Sequence, residues 1–319
     1  MTLLRIHLII TAAVFIILAF AMTGYSQNCC APAVPQQGVL GETVALPHTL
    51  EIGLHYEYLR SAGLYEGSDQ IDDPNLTKAI WKRAILTLSY GIMPKLGVSA
   101  IIPYLWKEKD RYLPALETRY INETEGIGDI TFFARYSPLA RSFVNFRELS
   151  VGFGVKIPTG ATDRQNYNFL LPEELQPGTG SWDYNLSLSY YQGFEPVDFY
   201  LSGTYLITTE YQDYKFGNQF SYLLSSNFHL LEWLDATASL SGSMRAKDQD
   251  NGEDNDQTGR HQLWLVPGVQ AQVLPKSLRL QAYFEQPIYQ HFEGTQLGSV
   301  YNLRLTAVYL LPFKKSEEN

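Results

Sequence analysis

Six histidines and one adjacent cysteine pair are the residues of this chain best suited to metal or nucleophilic chemistry. His55 lies two residues from Glu57 and four from Glu51, with His48 just before them, and these are donor types of a metal or proton site. On a strand, however, residues two apart share a face, and a polar face needs no metal to explain it. His229, His261 and His291 have no Ser, Asp and Asn arrangement beside them in sequence of the kind a hydrolase uses, although a triad assembled across strands stays open. Cys29 and Cys30 have no His or third Cys close by, and neighbouring cysteines make no disulfide framework. The stretch from Asp248 to Asp256 is acidic but lacks the spacing and terminal bidentate Glu of an EF-hand, so it reads as a solvated loop. With no Walker motif either, we assign no catalytic residue, no metal ligand and no cofactor, and do not expect an enzyme.

A second set of charged residues is more informative because of where it falls. Glu51, Glu57, Arg83, Asp129, Arg135, Lys156, Asp183, Arg245, Arg279, Glu285 and Arg304 all interrupt apolar stretches, and all fall on the polar parity of those stretches. A cation facing lipid at mid-depth costs roughly 2–4 kcal/mol. If these stretches cross a membrane, the charges must therefore point inward. There they either pair across strands or line a path for a solute.

The stretches that carry them repeat every second residue. Leu50, Ile52, Leu54, Tyr56 and Tyr58 share one face, against Glu51, Gly53, His55 and Glu57. Val151, Phe153, Val155 and Ile157 oppose Ser150, Gly152, Gly154 and Lys156 in the same way. About twelve such segments of near ten residues run from Leu50 to Phe313, the length a tilted membrane strand needs. Tight links at 93–95, 195–197, 232–234 and 275–277 and a moderate one at 137–148 alternate with longer polar ones at 61–78, 107–125, 158–181, 209–218, 246–260 and 288–298. Short turns on one side and long loops on the other describe a transmembrane antiparallel up-and-down β-barrel. Closure follows because an unpaired backbone group in hydrocarbon costs several kcal/mol.

Before the barrel, Arg5 and the apolar run Leu8 to Phe20 form a signal peptide over residues 1–27, too short to span as a helix. Residues 28–48 form a periplasmic lead, 49–313 the barrel and 314–319 a polar tail. The formal charge of −9 becomes −10 when Arg5 leaves with residues 1–27, which hold no acid, and this balance excludes nucleic acid as a partner.

Three motifs then give a resemblance. Gly126-Ile127-Gly128-Asp129-Ile130, with Ala134-Arg135-Tyr136 after it, is followed by Gly152-Phe153-Gly154-Val155-Lys156-Ile157-Pro158-Thr159-Gly160. Next comes Gly178-Thr179-Gly180-Ser181-Trp182-Asp183, leading into a Tyr-rich strand ending at Gly193-Phe194. Their order resembles the outer-membrane transporter family named after the meta-pathway of phenol degradation, over residues 126–194. One departure is that Lys314 to Asn319 follow Phe313, whereas assembly signals usually end at the aromatic. The resemblance implies a channel-like protein of the bacterial outer membrane for small aromatic or hydrophobic compounds. Its expected partners are membrane lipid, the barrel-assembly machinery and a small solute. Loop aromatics such as Tyr112, Tyr120, Tyr167, Phe169, Tyr211 and Tyr214 would add binding energy. A structural or adhesive barrel with a blocked lumen and a barrel hydrolase remain as alternatives.

Overall fold

A computed structural model describes residues 44–114, 117–140, 146–275 and 277–313. The signal peptide, Cys29 and Cys30, most of the lead segment and the tail lie outside the described residues.

Period-two alternation is realised throughout, with the polar side inward. Along the first strand, β1 (Thr49–Gly67), His55, Glu57 and Ser61 are buried while Leu54 and Tyr56 are exposed. The same inversion runs through the chain: Ser150, Asn185, Ser189, Thr204, Ser221 and Thr237 are buried, and Phe153, Leu186, Leu201 and Phe220 are exposed. A water-soluble fold has no reason to bury its serines and expose its leucines, whereas lipid outside and a polar lumen inside require it.

The ring continues with β2 (Lys78–Met93), β3 (Leu96–Leu113), β4 (Thr118–Ile127), β5 (Ile130–Leu139), β6 (Arg147–Ile157), β7 (Asp183–Phe194), β8 (Val197–Ile207), β9 (Gln219–Leu231), β10 (Leu234–Arg245), β11 (Arg260–Leu274) and β12 (Leu278–Pro312). Eleven of these elements close the ring, with β4 extending the pairing of β3 above β5. All pairings are antiparallel, which a closed ring permits only for an even number of staves. The parity is met because β12 doubles back near Gly294. Its first part pairs with β11 from Leu274↔Leu278 to Arg260↔Phe292, and its second pairs with β1 up to Thr49↔Pro312. Twelve staves result, and no edge is left open.

The long connections differ from simple loops. Strand pairing continues above the membrane through much of 61–78, 107–125 and 288–298, because a ladder needs backbone partners and not an apolar face. Segments 209–218 and 246–260 each fold into a short hairpin, and the two join as a four-stranded sheet through Tyr214↔Asp250 and Lys215↔Gln249. The connection 158–181 goes inward. At the opposite end, residues 44–48 lie at the short-turn mouth, where the Val44 amide donates to Glu148 Oε1 at 2.7 Å.

Candidate functional site: the lumen beneath the inward loop

The three motifs meet at the root of the inward loop. Between β4 and β5 the register against β3 slips by one residue, from Tyr104↔Ile127 to Ile101↔Thr131. This bulge at Gly128-Asp129 turns Asp129 into the lumen. There Lys156 of β6 bridges Asp129, at 3.2 Å, and Asp183 of β7, and it also contacts the Thr179 hydroxyl. One buried cation facing two carboxylates would leave a charge uncompensated. The balance is restored by donors: Asp129 accepts from the amides of Gly160 (3.0 Å) and Thr179 (2.9 Å) and from the Thr179 hydroxyl, and Asp183 from the Ser181 hydroxyl and the Thr209 amide.

Two glycine pairs make this root possible. The chain enters and leaves the loop at Gly160 and Gly178, which pass so closely that a Cβ on Gly160 would lie 2.5 Å from Gly178 Cα. Gly152 and Gly154 leave a flat place on β6 where the Phe133 ring lies, and a Cβ on Gly154 would be 2.5 Å from that ring. The motif residues therefore build a junction.

Beyond the root, Leu171 and Leu175 are buried against Ala79, Trp81 and Leu297. Lys107 donates to the carbonyls of Glu174 (2.8 Å) and Gln176 (2.7 Å), and Lys109 pairs with the Glu174 carboxylate at 2.6 Å. Gln176 holds the turn with its side chain, accepting from the Arg164 amide and donating to the carbonyls of Arg164 and Leu171. The loop thus narrows the lumen.

Facing the root, one row of alternating charge runs across four staves. Glu57 stands opposite Arg83 in β2 and opposite Arg304 in β12, and it is ion-paired with Arg83. Arg304 pairs in turn with Glu285 at 3.0 Å and lies over the Tyr283 ring, while Asn302 donates to Glu285 at 2.9 Å. Between row, root and loop lies a cavity of about 170 Å³ lined by Glu57, Arg83, Asp129, Lys156, Asp183, Glu285 and Arg304, together with Trp81, Leu105, Lys107 and Phe216.

Seven of the charged residues picked out in sequence thus face one cavity. Arg245 does not line it and instead pairs with Asp248 and lies over the Phe216 ring. Glu51 and Arg135 are also outside its lining; Glu51 lies within electrostatic reach of Arg279 and Arg135 toward the short-turn end. His55 is shared between the hydroxyls of Thr306 (3.0 Å) and Thr87 (3.2 Å), and no group of metal-ligating side chains occurs among the described residues. His229 sits between Asp198 (3.2 Å) and Asp235 (2.8 Å) because register brings β8, β9 and β10 together. No serine nucleophile accompanies them in that set of contacts. Of the loop aromatics, Tyr167 and Phe169 are exposed, and Tyr214 is tied down by its hydroxyl donating to Asp248. Burial and the neighbouring Asp248 carboxylate push the Tyr214 phenol above its ordinary range.

Trp81, Lys107, Leu175 and Gln176 were not among the sequence candidates. The available signal was Leu170-Leu171 and Leu175 inside an otherwise polar connection, since leucines in a solvated loop have nothing to bury against.

The model of the family described as "Putative MetA-pathway of phenol degradation" matches residues 74–300. The chain belongs to this family. Among solved structures, the COG4313 outer membrane channel from Pseudomonas putida F1 aligns with a TM-score of 0.66 at 17% identity, covering 85% of this chain and 98% of that one. The CymD monoaromatic hydrocarbon channel aligns at 0.47 and 10% identity over 85% and 90% of the two chains, and the KdgM porin at 0.45 and 9% over 81% and 98%. No curated protein matches the chain. The likeness to the COG4313 channel agrees with the closed barrel described above.

Proposed function

We propose that this barrel is an outer-membrane channel through which small, mainly aromatic or hydrophobic, molecules pass without a cofactor. The observation that carries the reading is the cavity under the inward loop. Its volume of about 170 Å³ is close to the ~150 Å³ of a cavity known to take a benzene ring, so a single substituted ring suits it. Its walls combine Trp81, Leu105 and Phe216 with paired charges, and pairing lowers the electrostatic barrier to a neutral solute. On this reading Glu51, Glu57, Arg83, Asp129, Arg135, Lys156, Asp183, Arg245, Glu285 and Arg304 lie along the path, with Glu57, Arg83, Glu285 and Arg304 next to the solute.

The inward loop also favours a second reading, a barrel that stays shut and acts through its outer surface. Planar-bilayer conductance combined with liposome uptake of a labelled phenol separates the two. Uptake above that of protein-free vesicles is the expected result. A folded barrel giving neither conductance nor uptake would sink the channel reading.

A further inference from the structure

The wall between the lumen cavity and the lipid is interrupted at the seam of β11 and β12. Pairing holds one register from Leu265↔Gln286 to Gly268↔Tyr283, but the two rungs between them, Val266 with Glu285 and Pro267 with Phe284, are missing. Proline explains the gap, because it has no N–H and is found in sheets essentially only at edges or bulges. On its other side β11 is fully paired, with Ser239↔Val266, Ala238↔Pro267 and Thr237↔Gly268 all in place. The absent donor is therefore one that would have faced β12. A backbone group without a partner is costly in lipid, so a proline at the middle of a closed wall points to a use other than stability.

There is room on both sides of this gap. Toward the lumen, Trp264 and Glu285 line the cavity of about 170 Å³. Toward the membrane, Pro267, Gly268, Val269, Ala282 and Phe284 line an apolar groove of about 760 Å³ that continues across β12 to β1. Between the two stands the Tyr283 ring. It lies across Gly268, where a Cβ would collide with it, and the Arg304 guanidinium covers it at 4.9 Å. Where a ladder is intact, opening the wall means breaking backbone hydrogen bonds. Here side chains close it.

We propose that this seam is a lateral portal, through which an apolar ring held in the lumen cavity passes between β11 and β12, beside Tyr283, into the groove on the membrane side. The inference rests on the channel reading above and adds the route. Polarity decides the direction. Toward the short-turn end the lumen presents His55, Thr87, Asn227 and Thr237, all buried and polar, whereas the groove is apolar and meets lipid. A ring without charge gains free energy sideways and loses it going straight on.

A staple across the seam tests this. Val269 and Ala282 face each other on the groove side, and facing Cα atoms about 5.5 Å apart are within disulfide reach. V269C/A282C is made in a C29S/C30S background, which removes the chain's own thiols. The readout is uptake of radiolabelled toluene by cells carrying the barrel in their outer membrane, taken as the excess over cells without it. Oxidised V269C/A282C should lose this excess and regain it on reduction, with planar-bilayer conductance unchanged. L240C/L265C staples the unbroken seam of β10 and β11 in the same background and should keep wild-type uptake. P267V, which restores the missing N–H without a crosslink, should lower uptake. Full uptake by oxidised V269C/A282C, or by P267V, overturns the portal. So does an equal loss with both staples, or a parallel loss of conductance, since either assigns the effect to the lumen as a whole. Wild-type uptake no higher than that of cells lacking the barrel overturns the channel reading too, which keeps the two failures distinct.

Discussion

The two sides of the lumen are built on different principles. On the motif side, Lys156 is enclosed by Asp129, Asp183 and Thr179, and the carboxylates are completed by main-chain amides of the loop itself. Across from it, Arg83, Glu57, Arg304 and Glu285 bridge neighbouring staves side chain to side chain, and Asn302 Oδ1 has no hydrogen-bond partner among the described residues. Where backbone completes a charge network, changing one residue disturbs the fold. Where only side chains do, the wall can change chemistry while keeping its shape. The motifs of this family thus mark architecture, and solute preference is expected to lie in the opposite row.

The comparison is most exposed to Lys156→Met. It leaves two buried carboxylates facing each other, and losing one partner of such a network costs about 3–5 kcal/mol. Thermal unfolding of the barrel in detergent should shift downward strongly, with conductance rising as the loop loses its root. An unchanged midpoint would erase the distinction between the two sides. Gly160→Ala should come next, since the new methyl meets the Gly178 backbone, an overpacking of about 1–3 kcal/mol visible in the same melt.

Arg304→Gln probes the other side. Removing the buried cation there should cost about 1–3 kcal/mol, less than Lys156→Met because Glu57 keeps Arg83 and Glu285 keeps Asn302, while shifting the reversal potential in a salt gradient toward cations. A stability loss as large as that of Lys156→Met, with unchanged selectivity, would reverse the roles given to the two sides. The smallest effect is expected far from both, at the exposed pair Lys247–Asp256. Its hydrogen bond to Lys247 holds the Asp256 carboxyl below the usual carboxylate range. A depressed carboxylate contributes stability above its unfolded pKa and loses it as pH falls, but both groups are fully solvated. Lys247→Ala should therefore melt with the wild type at pH 7 and at pH 4 in moderate salt, and a pH-dependent gap would show that the outer hairpin sheet bears on the barrel.

Much of the wall was legible in residues alone. Leu54 and Tyr56 against His55 and Glu57 state both the strand and the direction each side chain takes, because a two-residue period leaves no other arrangement. The inward course of 158–181 was not legible. Leu170, Leu171 and Leu175 mark a segment that needs burial, but where it is buried is decided only by the pairing of Gly160 with Gly178 and the seat for Leu175 in the lumen. The setting of His229 was not legible for the same reason: its carboxylates lie on neighbouring strands, 31 and 6 residues away in sequence.

By itself, then, the sequence determined alternating faces and about twelve staves, both set by local periodicity and by the solvent each face must meet. Tertiary structure alone decided which charges pair, how far the loop reaches and how large a space remains. Those outcomes depend on register between strands distant in the chain, where a shift of one residue exchanges lumen for lipid.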